Sequence, residues 1–90
     1  MLLEVGRRCI DLGERGEITV VYSVISEYDS DFMCDMYGVS VRIDESGEEE
    51  KLAGITSLAD EAFELASFLI NGKVTPVTLK DVVSDWIART

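Results

Sequence analysis

Apolar positions alternate with polar ones through the first part of the chain and recur at helical spacing in the last part. The clearest strand is Ile18-Thr19-Val20-Val21-Tyr22-Ser23-Val24-Ile25, a run dense in β-branched and aromatic residues. Ile18, Val20, Tyr22 and Val24 share one face. Thr19, Val21, Ser23 and Ile25 share the other, which is mixed. That pattern predicts an antiparallel sheet with one face on the core and one partly open. Before it, Leu2 to Ile10 reads as a strand of mixed parity: Leu3, Val5 and Cys9 fall on one side, Leu2, Ile10 and Leu12 on the other. Gly13-Glu14-Arg15-Gly16 marks the turn between the two.

Tyr28-Asp29-Ser30-Asp31 reads as a polar turn. A further strand is expected from Phe32 to Asp44, with Met33, Tyr37, Val39, Val41 and Ile43 on one parity and Ser40 and Arg42 opposite. Gly38 in its middle predicts a bulge or a close backbone approach. Glu45-Ser46-Gly47-Glu48 is the next turn, and Glu49 to Ile55 a fourth strand.

The period changes after Ile55. Ser57-x-x-Asp60 resembles a capping box, with Asp where Glu or Gln is usual. Leu58, Ala62, Leu65, Ala66 and Leu69 follow at i, i+3, i+4 spacing, flanked by Phe63 and Ile70. Gly72 fits the position just past a helix end, and Val74-Thr75-Pro76 stays extended before the proline. In a second helix, Thr78 is the expected N-cap, with Val77 stapled onto Val82. Leu79, Val82, Val83, Trp86 and Ile87 form its apolar stripe. The predicted fold is a single α+β domain over residues 1–90: a four-stranded antiparallel meander followed by two helices packed on one face, in two layers.

Composition narrows the function classes. Eighteen acidic residues against eight basic ones give a net charge of −10. So negative a field repels polyanions, which argues against nucleic acid and against anionic membrane surfaces as partners. The chain has no histidine, which removes the commonest general base and excludes Ser-His-Asp, Cys-His and His-Glu-x-x-His chemistry. Cys9 and Cys34 form no Cys-x-x-Cys pair, so neither a zinc framework nor a redox motif is expected, and buried, reduced thiols are. No signal peptide is expected at Met1-Leu2-Leu3-Glu4, nor a membrane span anywhere, which makes the cytoplasm the expected compartment.

Candidate chemistry is sparse. Asp29, Asp31 and Asp35 form the weak candidate for a divalent-cation site. An EF-hand loop with that start would need an oxygen ligand at Met33, a glycine at Cys34 and a glutamate at Ser40. Turn formation explains Asp29 and Asp31 as well. Glu48-Glu49-Glu50 reads as a charged guard on an edge strand. Trp86, Tyr22 and Tyr37 lie on apolar faces and read as core anchors, whereas Tyr28 is the freest tyrosine. No enzyme, catalytic residue, resident metal or cofactor is expected. The expected function is a small protein-interaction or self-association module, acting as a homodimer or with a protein partner, with Val21 and Ile25 on the far face of the sheet as its surface. The alternative is a small-molecule or divalent-cation binding domain.

Two stretches carry a resemblance. Asn71 to Ile87 contains Val74-Thr75-Pro76 leading into a helix with Leu79-Lys80-Asp81-Val82, and Tyr37-Gly38-Val39 opens an alternating strand. Together they resemble a family of short proteins of unknown function from clostridia and their relatives. The resemblance implies a bacterial cytoplasmic protein and carries over no activity.

Overall fold

Strands β1 (Leu2–Asp11), β2 (Glu17–Asp29), β3 (Cys34–Ile43) and β4 (Glu49–Thr56) precede helices α1 (Ala59–Asn71) and α2 (Leu79–Arg89) in this computed structural model, which describes residues 1–89. The strands pair antiparallel in the order β1-β2-β3-β4. Short 3-10 turns at Gly13–Arg15 and Pro76–Thr78 fill two of the connections. The α+β meander with two helices on one face is therefore the fold.

Period-2 alternation builds the core. Val20, Tyr22 and Val24 of β2 stand opposite Ile43, Val41 and Val39 of β3. They pack under Ala62, Leu65, Ala66 and Leu69 of α1 and under Leu79 and Val83 of α2. The mixed parity of β1 has a specific cause. Its register to β2 shifts between Glu4 and Gly6, so Val5 is an extra residue. Leu3 before the bulge and Ile10 after it therefore stand opposite core-side residues of β2, Val24 and Ile18.

Gly38 is a close approach, as its place in the sequence suggests. Tyr37 pairs with Thr56 and Val39 with Leu52, which leaves Ala53, Gly54 and Ile55 of β4 against Gly38 alone. A side-chain carbon at Gly38 would overlap the Leu52 carbonyl oxygen and come within 2.7 Å of the Ala53 Cα.

The helix ends differ from expectation in three places. Ser57 does not cap α1. The N-cap is Leu58, with no side-chain cap, and the approach to it is held by Thr56, whose hydroxyl accepts from the Leu58 N–H (3.1 Å) and donates to the Glu61 carboxylate (2.9 Å). At the other end of α1, Gly72 stands just past the helix as expected, but it stays right-handed and the left-handed residue is Lys73 (φ 51°). The Val74 and Lys73 N–H groups donate to the Leu69 and Ile70 carbonyls, a Schellman closure that brings Val74 into the core beside Leu69. Finally, Val77 is 82% exposed and staples nothing. Pro76 is the buried residue of that connection, and the Thr78 hydroxyl turns back to the Thr75 carbonyl (3.3 Å).

A buried polar contact also crosses the two layers. The hydroxyl of Tyr22, fully buried at the centre of the sheet, donates to the Val74 carbonyl at 2.8 Å. It ties β2 to the α1–α2 connection, and burial pushes the phenol up to about 12. The fold thus favours the neutral phenol. Its contribution is complete below the unfolded value near 10 and is lost as pH rises from there through about 12.

Tyr22→Phe is expected to cost about 1–3 kcal/mol at neutral pH, because it leaves the Val74 carbonyl unpaired. It should also flatten the alkaline limb: between pH 10 and 12 the wild type loses about 2 kcal/mol more than the variant. Denaturant melts across that range check this, and parallel curves would refute it. Gly38→Ala should destabilise by about 3 kcal/mol, since backbone atoms must give way. An unchanged denaturation midpoint would show that β4 does not approach so closely.

Candidate functional site

The acidic hairpin does not assemble a cage. The Asp29 carboxylate accepts from the Asp31 N–H at 2.9 Å, closing an Asx-type turn at the β2–β3 connection. Asp35 pairs with Tyr28 and Asp29 with Cys34, successive positions whose side chains leave opposite faces of the ribbon. Asp29 and Asp35 therefore diverge. Among the described residues, no three acidic or thiol side chains are grouped so as to hold a metal ion.

The far face of the sheet is covered over Val21, while beside Ile25 it carries a hollow lined by Met1, Leu2, Glu27, Lys51 and Ala53. Val21 and Ile25 lie there, as alternation requires, but they are only 3% and 6% exposed. They are not the open surface that the sequence led one to expect. Arg7 of β1 binds Glu4 at 2.9 Å and reaches Asp44 at 3.8 Å; Arg42 of β3 binds the same Asp44 at 2.8 Å. A bridge from β1 to the end of β3 passes over β2, where Val21 stands between Arg7 and Arg42. The long stems of these side chains shield it. Beside them, the buried Ser40 hydroxyl donates to Glu49 at 3.0 Å. The paired Arg7 guanidinium holds the Glu4 carboxyl below its ordinary range. Arg7 and Arg42 are thus committed to carboxylates of their own chain.

The cysteines lie apart. Cys9 pairs with Thr19 and Cys34 with Asp29, ten residues along β2, which is roughly 34 Å of strand. Both are free thiols, and Cys9 is exposed where a buried thiol was expected.

What the structure does gather is apolar surface at one end of an elongated molecule, 49 Å in its longest dimension. β2 continues past Ile25 through Ser26-Glu27-Tyr28-Asp29, four residues further than its apolar run. Met1 extends the ladder there, its carbonyl accepting from the Ser26 N–H at 2.8 Å. α1 starts beside Tyr37 and runs back over the sheet until Ile70 meets Gly6, so the strand ends project beyond it. On the helix side of this end lies a concavity of about 250 Å³, lined by Met1, Leu3, Val24, Ser26, Tyr37, Ala59 and Phe63. Leu3 and Phe63 are 48% and 40% exposed. A shallower hollow runs on from Phe63 to Phe68 along α1, edged by Asp60 and Glu64.

Tyr28, Phe32 and Met33 stand exposed on the hairpin beyond, and Leu2 and Leu58 lie at the same end. Among the described residues, eight of the twelve exposed large hydrophobic ones thus belong to this end, so the distribution is strongly one-sided. Asp60 and Glu64 line the hollow along α1, neither hollow is lined by lysine or arginine, and the Met1 ammonium at the concavity donates to the Ser26 carbonyl. Sequence reading missed Leu3 and Phe63 as surface. Phe63 sits one position off the α1 stripe, which was the available signal.

A family model described as "Family of unknown function (DUF6514)" matches residues 1–89. The chain belongs to DUF6514. The match spans the strands and both helices, well beyond the two stretches that carried the resemblance. No curated protein and no solved structure matches the chain. Among its described residues, this DUF6514 member has no helix long and apolar enough to cross a membrane. Membership of DUF6514 brings no assigned chemistry, so a functional reading rests on the surface just described.

Proposed function

We propose that the protein works by binding protein, without catalysing a reaction, and that it does so through the apolar end of the sheet. The one-sided gathering of exposed hydrophobic residues around a concavity carries this reading. Exposed apolar patches of that kind, bordered by polar residues, mark interaction sites on folded domains. The want of a histidine and of any nucleophile with a base beside it in the sequence supports a non-enzymatic role. Two free thiols held at opposite ends of the sheet suit a reducing, cytoplasmic setting. The surface differs from the Val21 and Ile25 face, where an arginine–carboxylate lattice lies over the strands.

Photo-crosslinking tests the reading. A photoreactive residue placed at Phe63 or Phe32 should give crosslinked product in the cell, to a second copy or to another protein. The same residue at Leu12, exposed at the opposite end, should give little. Equal yields at both ends, or none at either, would contradict it.

A further inference from the structure

Resting on that reading, we infer the chemistry of the occupant: a basic amphipathic segment of a different protein, which seats an apolar side chain in the helix-side concavity. Three observations converge on it. First, the concavity is about 250 Å³, below the roughly 300 Å³ at which small-molecule sites begin. It suits an anchoring side chain better than a whole ligand.

Second, carboxylates border its surroundings, and the cation in its own lining, the Met1 ammonium, is already engaged by the Ser26 carbonyl. Asp60 and Glu64 edge the neighbouring hollow, and Asp35 stands opposite Tyr28 on the projecting ladder, on the same face as the concavity. Lysine and arginine are absent from the lining of both helix-side hollows. The far-face cations Arg7 and Arg42 are paired with Glu4 and Asp44.

Third, the same charge disfavours a second copy. Each chain carries −10, and two copies meeting by this end would oppose the same carboxylates around the same apolar patch. A segment with lysine or arginine flanking an apolar anchor meets the patch with attraction at the rim and burial at the centre.

The probe is a short synthetic amphipathic peptide of leucine and lysine, titrated into the full chain while backbone amide resonances are followed. Its counterparts replace lysine with glutamate, or leucine with serine. The leucine–lysine peptide should shift Leu3, Tyr37 and Phe63 most and saturate, and added salt should weaken it. The counterparts should bind at least about tenfold more weakly. Phe63→Asp should weaken binding by more than about tenfold, as loss of a central aromatic anchor does. Leu3→Asp, at a half-exposed site, serves as the second variant, and the same spectra show whether each remains folded.

Shifts as large around Glu48-Glu49-Glu50, or equal binding of the leucine–glutamate peptide, would overturn the inference. Crosslinks between copies from Phe63, with no peptide binding, would sink this occupant and leave the interaction reading standing. Failure of both experiments would remove both.

Discussion

Thirteen residues of strand reach roughly 43 Å, and thirteen residues of helix roughly 20 Å. That mismatch between β2 and α1 governs the molecule. A single helix cannot roof a strand of its own residue count, and α2 adds Leu79 and Val83 to the same core. Some of the sheet must project. α1 follows β4 directly, so the projecting part is the end that carries the β2–β3 hairpin. The apolar surface there follows from the geometry of the two layers.

The roofed region is held by contacts of different strengths. Apolar burial under the helices supplies the driving force, and the Tyr22–Val74 hydrogen bond fixes where the α1–α2 connection sits on the sheet. Lys73 accepts a left-handed backbone to make that closure, in a position where glycine is usual. On the far face, exposed ion pairs contribute little one by one. Their larger effect is geometric: they lay aliphatic stems over β2 and cover Val21. With the core side roofed and Val21 covered, the projecting end is where most of the large apolar side chains remain in contact with water.

Much of the fold was legible because its signals are local. Alternation in Ile18–Ile25 and Tyr37–Ile43, and the i, i+3, i+4 stripes after Ile55, report which residues face the core. Gly38 could be read for the same reason, since a glycine inside a strand has few other uses. What escaped was set by tertiary context. The bulge at Val5 left β1 with a mixed pattern that no single period fits. The continuation of β2 to Asp29 carries polar residues, because nothing lies over it to demand apolar ones. Val21 and Ile25 looked open because strand parity assigns a face and is silent about the long side chains of neighbouring strands. The N-cap of α1 falls at Leu58, one residue past Ser57, a difference that composition does not decide. Of the candidate site, Tyr28 was visible as an exposed aromatic. Leu3 and Phe63 were not, since nothing in the local pattern says how far the roof of α1 extends over them.

A protein-binding role joins these features: a projecting ladder, a small apolar hollow and a rim of carboxylates on a chain that DUF6514 membership leaves without assigned chemistry. The most direct measurement is native mass spectrometry of the protein purified gently from its own cells, beside a Leu3→Asp/Phe63→Asp variant shown to be folded. The account predicts a dissociable polypeptide mass on the wild type that is missing from the variant. A bare monomer in both, or an adduct that survives the double substitution, would contradict it.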